Sequence, residues 1–239
     1  MKKTTFFSFL SFSTVAFQTA SASEFGTLIF SDPFDRTESQ ELKDEPGNEW
    51  TTSSDKTAKG HKEVDLRDGA MYIYTHAEAN HATSVRHALE FKNGTLSLRF
   101  MLEDVEDTLT LNFADMDLKT VWAGHLFKVT IGTSNVKITD QKTGEMDLTI
   151  RNARNDNSLT EEQKTMVSQK SKTFPHQLET DRWHQVYATI QGDELTCTID
   201  GKLIGTFRSE GFAHEKKGLL RLLVAKNAYV DDVRIWRVQ

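Results

Sequence analysis

The sequence predicts an all-β fold, an antiparallel sandwich. Three observations carry that expectation: apolar residues recurring with period two, short runs punctuated by turn residues, and little helical periodicity. Leu96, Leu98 and Phe100 alternate with Ser97 and Arg99; Leu109, Leu111 and Phe113 with Thr110 and Asn112; Phe127, Val129 and Ile131 with Lys128 and Thr130. Alternation of this kind turns one face of each strand towards a core and the other towards water. Val136 and Ile138 continue the set. Val186 to Ile190 and Leu195 to Ile199 follow, joined by the turn Gln191-Gly192-Asp193. Asp200-Gly201-Lys202 is a second hairpin turn into Leu203 to Phe207, and Leu219 to Ala225 and Tyr229 to Val238 complete the strands. Many short strands without alternating long helices pack as two sheets face to face.

Two segments depart from the pattern. Ser158-Leu159-Thr160-Glu161 begins like a capping box, and Glu161 to Ser171 is rich in Gln, Lys and Glu. A single surface helix is therefore expected near residues 159–171. Thr37 to His61 is polar and contains Pro46, Gly47 and Gly60, so it reads as a long loop around one anchored aromatic, Trp50.

Met1 to Ala22 reads as a secretory signal. Lys2 and Lys3 form the positive region, Phe6 to Phe17 the apolar core, and Ala20-Ser21-Ala22 the cleavage site. The apolar run is shorter than the roughly 20 residues that a membrane span requires, and no Cys follows the cleavage site to carry a lipid. The expectation is an exported protein without a membrane anchor, periplasmic or extracellular, whose residues 23–239 form a single domain. The formal charge of -6 becomes -8 without the two signal lysines. An acidic balance excludes nucleic acid and anionic membrane surfaces as natural partners, because both require clustered Lys and Arg. Cys197 is the only cysteine and stands on the apolar side of its run, as a buried hydrophobe with no disulfide partner.

Three stretches carry a family likeness: Asp32-Pro33-Phe34-Asp35-Arg36; Trp183-His184-Gln185-Val186 with Gly192-Asp193-Glu194-Leu195 and Ile199-Asp200-Gly201-Lys202; and Val230-Asp231-Asp232-Val233-Arg234-Ile235. Together they resemble the concanavalin A-like and laminin G-like jelly-roll superfamily. More closely, the chain is similar to exported bacterial proteins of the 3-keto-disaccharide hydrolase-like group, also described as family 16 glycoside hydrolase-like. The likeness covers most of residues 28–238. It implies a jelly roll whose first and last strands pair, and a carbohydrate ligand. It also implies a structural calcium ion, for which Asp32, Asp35, Asp231 and Asp232 would be the oxygen ligands. The same carboxylates serve equally as acceptors for backbone N–H groups at strand ends.

A retaining glycosidase needs two carboxyl groups about 5 Å apart. The densest acidic stretch, Leu102-Glu103-Asp104-Val105-Glu106-Asp107, departs from the family 16 pattern of acidic residues alternating with apolar ones, and fits a solvated loop. A second candidate is polar. Arg99, Asn112 and Lys128 hold equivalent positions on three strands, so they line up on an open face if those strands are neighbours, ready for an anionic or hydroxyl-rich sugar. They are equally the wet side of an antiparallel sheet.

Histidines add to this. Tyr74 and His76 share a strand face with Tyr72, His81, Arg86 and His87 follow closely, and Asp115 and His125 stand in the next polar connections. Proton abstraction from a sugar ring needs these residue types, which makes His125, His87, Arg86 and Asp115 the candidate catalytic groups. Arg99, Asn112, Lys128, Tyr74, His76 and His214 are the candidate substrate contacts. No paired metal-ligand spacing occurs. Two function classes stand open. One is an enzyme cleaving or hydrating a keto or acidic sugar, which requires titratable groups converging in a pocket. The other is a non-catalytic glycan-binding or surface-interaction module, which requires a groove with aromatic platforms.

Overall fold

The computed structural model describes residues 25–238; the signal-like segment Met1 to Ala22 lies outside the described residues. The alternating runs become strands β1 (Thr27–Asp32), β2 (Thr51–Thr52), β3 (Val64–Arg67), β4 (Ala70–Tyr74), β5 (Thr83–Phe91), β6 (Asn93–Met101), β7 (Thr108–Ala114) and β8 (His125–Gly132). They continue as β9 (Asn135–Asp140), β10 (Ser171–Pro175), β11 (His184–Gln191), β12 (Glu194–Ile199), β13 (Lys202–Arg208), β14 (Lys217–Val224) and β15 (Asn227–Val238). One sheet has the order β13-β12-β11-β6-β15-β4-β3, with β1 added on β15, and the other has the order β10-β9-β8-β7-β14-β5-β2. All pairings are antiparallel, and β1 pairs with β15 as the superfamily likeness implies.

The predicted inward sets fill the space between the sheets. Leu96, Leu98 and Phe100 of the first sheet meet Leu109, Leu111, Phe113, Phe127, Val129 and Leu222 of the second, all fully buried. Phe113 stacks on Phe127 with ring centroids 4.9 Å apart, and Phe127 meets Phe212 edge-on at 5.2 Å. Each such side chain contributes about 1.5–3 kcal/mol by leaving water. Cys197 belongs to this core, and burial pushes its thiol up to about 12.

Consecutive strands often change sheets. β5 lies in the second sheet, β6 in the first and β7 again in the second. The acidic stretch after Leu102 makes the β6–β7 crossing as a turn. Buried Asp107 accepts the N–H groups of Glu103 (3.0 Å), Asp104 (2.8 Å) and Asn227 (3.2 Å), so its carboxylate holds backbone.

Helix is more plentiful than the single expected segment. α1 (Ser54–Thr57) is one turn inside the Trp50 loop, α2 (Leu148–Asn155) follows β9, and α3 (Glu161–Gln169) lies within the expected residues 159–171. The box that caps α3 is Thr160 with Gln163, two residues on from the one anticipated. α2 starts at Asp147, whose side chain accepts Thr149 N–H (2.9 Å) and Ile150 N–H (3.2 Å), a start with neither the capping-box spacing nor an apolar periodic run to announce it.

Asp32 at the end of β1 organises the loop that follows. Fully buried, it accepts Arg36 Nη1 (2.6 Å), Trp50 Nε1 (2.8 Å) and Phe34 N–H (2.9 Å). Trp50 is thereby the anchored aromatic of that loop, as expected. Removing one partner of such a buried pair costs about 3–5 kcal/mol. Asp32→Ala is expected to lose about 3 kcal/mol in a urea titration followed by tryptophan fluorescence; an unchanged midpoint would show that the loop is held by other contacts.

Candidate functional site

The outer face of the second sheet carries one unbroken row of polar side chains, a residue from each of its seven strands. Thr51 lies opposite Arg86, Arg86 opposite Arg221, Arg221 opposite Asn112, Asn112 opposite Lys128, Lys128 opposite Thr139, and Thr139 opposite Ser171. The core residues Val85, Leu220, Leu222, Leu111, Phe113, Phe127, Val129 and Ile138 alternate with them, so the row points away from the core.

Over this row lies a cavity of about 510 Å3, with Arg86, Arg221, Lys128, His125, Gln141 and Trp122 among its lining residues. Its wall includes the loop between β7 and β8, which brings in Met116 and half-exposed Trp122. Arg151 of α2 sets its guanidinium 4.2 Å from the Trp122 ring centroid. Gly124 turns this loop at φ +69, where a Cβ would run into the Asp115 carbonyl, so only glycine fits there.

Charge gives the cavity its character. Among the described residues, no Asp or Glu lines it. Arg86 donates Nε–H to Ser84 Oγ (3.0 Å), and Arg221 donates to Asn112 Oδ1 (3.2 Å), to the Ala123 carbonyl (2.7 Å) and to Met116 Sδ (3.1 Å). These acceptors are all uncharged, so two guanidinium groups lie opposite each other across β5 and β14 without a counter-ion. Burial makes both harder to keep protonated. For Arg221 the neighbouring charge of Arg86 adds to burial, and the group is pulled down to about 10.

His125 stands beside this pair, against Asn112 and Arg221. Asn112 Nδ2–H donates to the Phe127 carbonyl (3.2 Å) and to Gln141 Oε1 (2.6 Å), which leaves Oδ1 as the acceptor facing His125 Nδ1 at 3.1 Å. Arg221 Nη1–H, which can only donate, lies 3.1 Å from the same Nδ1 and 3.4 Å from Nε2 and also donates to Oδ1, so the imidazole, the amide oxygen and the guanidinium share one polar cluster in which either ring nitrogen can hold the hydrogen. Burial first, then the charges of Arg221 and Lys128, push the imidazole down to about 3, so it is neutral at ordinary pH. Glu145 closes the network, accepting Lys128 Nζ (3.0 Å) and Gln141 Nε2 (3.1 Å).

Of the candidate catalytic residues, the structure brings His125 and Arg86 into this cavity and sets the other two elsewhere. His87 follows Arg86 on β5 and so points to the opposite face. It is 6% exposed and packs against Phe30 and Trp50 at centroid distances of 3.8 and 5.1 Å. Asp115 stands at the foot of the β7–β8 loop, where it accepts His214 Nε2–H (2.9 Å) and Asp117 N–H (3.0 Å); this pair braces the loop, and neither residue lines the cavity.

Of the candidate substrate contacts, Asn112 and Lys128 join the row and Arg99 does not. Arg99 lies on β6 in the other sheet, paired with Asp231 (2.9 Å) and stacked over Trp183 (4.7 Å). The equivalence of three successive runs fails there because the chain changes sheets between β6 and β7. Tyr74 also belongs to the first sheet, stacked on Tyr72, and His76 stacks on His61 at 4.1 Å. Arg221, Gln141 and Trp122 are the contributors that the sequence reading missed. A signal for Arg221 existed: a lone charge inside Leu219-Leu220-Arg221-Leu222-Leu223 must face away from the core at its alternate position.

The four aspartates proposed for calcium do not fit an ion. Asp32 is taken by Arg36 and Trp50, Asp231 by Arg99 and the Asp232 N–H (2.6 Å), and Asp232 by Arg234 (2.8 Å), while Asp35 is exposed. The group of acidic residues close enough for a cation, among the described residues, is Glu38, Glu41 and Asp65. The Lys62 ammonium already fills it, 2.9 Å from each.

Because His125 is held neutral in the folded protein, it contributes stability above its unfolded pKa of about 6.5, and that contribution falls as pH drops towards about 3. NMR titration is expected to find the His125 imidazole still neutral at about pH 5. His125→Gln is expected to flatten the loss of stability over that acid range; an imidazole titrating normally near 6.5 would contradict the buried, cation-flanked site.

No family model and no curated protein matches the chain in sequence. Solved structures match in shape. The β-glucanase of Bacillus licheniformis has a TM-score of 0.58 at 12% identity, over 89% of this chain and 99% of that one. SCLam, a non-specific endo-β-1,3(4)-glucanase from family GH16, gives 0.57 at 11% identity over 87% and 90%. The carbohydrate-binding module CBM66 from Bacillus subtilis gives 0.50 at 10% identity over 80% and 94%. At such identities the likeness is one of fold, and the chain has the concanavalin A-like jelly roll that the family 16 glycoside hydrolases use.

Proposed function

We propose that this protein is carbohydrate-active and that the cavity on its second sheet takes an acidic saccharide. The observation that carries this reading is the pair Arg86 and Arg221, adjacent, largely buried and without a counter-ion, in a cavity that no described carboxylate lines. An uncompensated buried charge is costly, and a planar carboxylate answers two guanidinium forks with charge-assisted hydrogen bonds. Trp122 at the rim offers an apolar face for a sugar ring. The solved structures of the same shape, which include glucanases and a carbohydrate-binding module, support carbohydrate as the ligand class. The signal-like N-terminus is consistent with a ligand met outside the cytoplasm.

Retaining hydrolysis is poorly served here, because the cavity offers no pair of carboxyl groups. Elimination or hydration of an acidic sugar suits the groups present. In β-elimination, the unprotonated ring nitrogen of neutral His125 takes the proton from the carbon next to the carboxylate, that C–H pair forms the ring double bond, and the C–O bond to the leaving sugar breaks. The departing oxygen takes its proton from water. Arg86 and Arg221 hold the charge that gathers on the carboxylate in the transition state. Their presence also supports the non-catalytic alternative, since the same forks bind an acidic sugar without turning it over.

Calorimetry with uronate oligosaccharides and neutral glucan oligosaccharides tests the reading. Acidic chains are expected to bind and neutral ones not, with Arg86→Ala weakening binding at least about tenfold. Growth of ultraviolet absorbance from an unsaturated uronate, abolished in His125→Gln with binding kept, would establish elimination; binding without it leaves the recognition module. Failure of every acidic saccharide to bind would overturn the proposal.

A further inference from the structure

The polar row continues beyond the arginines. Past Lys128 it runs to Thr139 and Ser171, into a second depression of about 210 Å3 lined by Lys128, Lys137, Thr139, Asp140, Glu145 and Lys170, among others. Lys128 lines both cavities, so the two are neighbours along the row. Arg221 and Thr139 are three strand spacings apart, about 14 Å at ~4.8 Å per strand, which one pyranose ring does not bridge.

The second depression differs in charge. Lys128 is paired with Glu145 (3.0 Å) and Lys170 with Glu210 (2.9 Å). Asp140 is fully buried, and its carboxylate accepts the Thr143 and Ser209 hydroxyls and the N–H groups of Thr143 and Gly211. What remains unengaged is of a different kind. Thr139 is 6% exposed, and its Oγ1 has no hydrogen-bond partner; exposed Lys137 beside it is in no ion pair among the described residues. A buried hydroxyl without a partner is a standing cost, which a ligand hydroxyl removes. A carboxylate in the same place would face Glu145 and Asp140.

We infer that this depression is a second saccharide subsite, built for an uncharged, hydroxyl-bearing unit. The ligand is then a mixed oligosaccharide lying across the strands, with its acidic unit at Arg86 and Arg221 and a neutral unit at Thr139. This rests on the acidic-saccharide reading for the first subsite. It adds a length requirement and a polarity that the first subsite alone does not impose.

Calorimetry on the full chain with three probes separates the two readings: free glucuronate, a hexasaccharide alternating glucuronate with a neutral N-acetylhexosamine, and a homogalacturonate hexasaccharide. The alternating chain is expected to bind at least about tenfold more tightly than either other probe. Thr139→Val, nearly equal in shape, is expected to reduce its affinity about fivefold and leave glucuronate binding unchanged. Lys137→Ala, at an exposed position with no burden on folding, is expected to act in the same direction. Equal or tighter binding of the homogalacturonate chain, or unchanged affinity for the alternating chain in both variants, overturns the second subsite while glucuronate binding upholds the first. If none of the three probes binds, both readings fall.

Discussion

The register of the second sheet is the constraint on which the site depends. Side chains alternate across a strand, so a slip of one residue in any pairing would carry Arg86, Arg221, Asn112 or Lys128 into the core and bring a Leu or Phe out. The packing of Phe113, Phe127 and Leu222 against the first sheet forbids that slip, because each fills space that a polar side chain would occupy at a large cost in desolvation. One set of interactions therefore does two things: it buries the apolar half of each run and lines the polar half into a row. The cavity residues need no separate device to bring them into line.

An acidic protein with a cationic cavity is explained by where its carboxylates go. Asp32, Asp107 and Asp140 are fully buried and engaged with backbone N–H groups or nearby donors, and Asp115 braces the β7–β8 loop. Other acids pair with lysines and arginines away from the cavity, as Glu38, Glu41 and Asp65 do around largely buried Lys62. None of these stands at the cavity wall, so the field there is set by Arg86 and Arg221, with Lys128 balanced by Glu145, although the net charge of the chain has the other sign.

The fold was legible because alternation is a local property: each strand announces its own buried face. The site was legible only where spatial neighbours are also sequence neighbours. Asn112 and Lys128 belong to consecutive strands of one sheet, and their alignment could be read from the chain. Arg99 belongs to a run of the same appearance, yet the jelly roll sends it to the opposite sheet, and nothing in its alternation records that crossing. Arg221 is the converse, far from Asn112 in sequence and opposite it in space. His87 shows a third limit, since a polar residue next to a cavity residue on a strand must face the other way. α2 was hidden for another reason: its capping aspartate lies where neither an apolar period nor a capping-box pair marks the start of a helix.

The hydrogen-bond network around His125 has a direction. Lys128 and Gln141 both donate to Glu145, Asn112 donates to Gln141 and to the Phe127 carbonyl, and Arg221 donates to Asn112 Oδ1, which also faces His125 Nδ1. Both anchors, an ionised carboxylate and a backbone carbonyl, can only accept, so neither amide between them can turn over without setting two acceptors face to face. The sense of the whole chain is thus imposed from its ends. Glu145, a carboxylate that does not itself line the cavity, decides from two amides away that an oxygen and not an NH2 group meets the cavity histidine and Arg221.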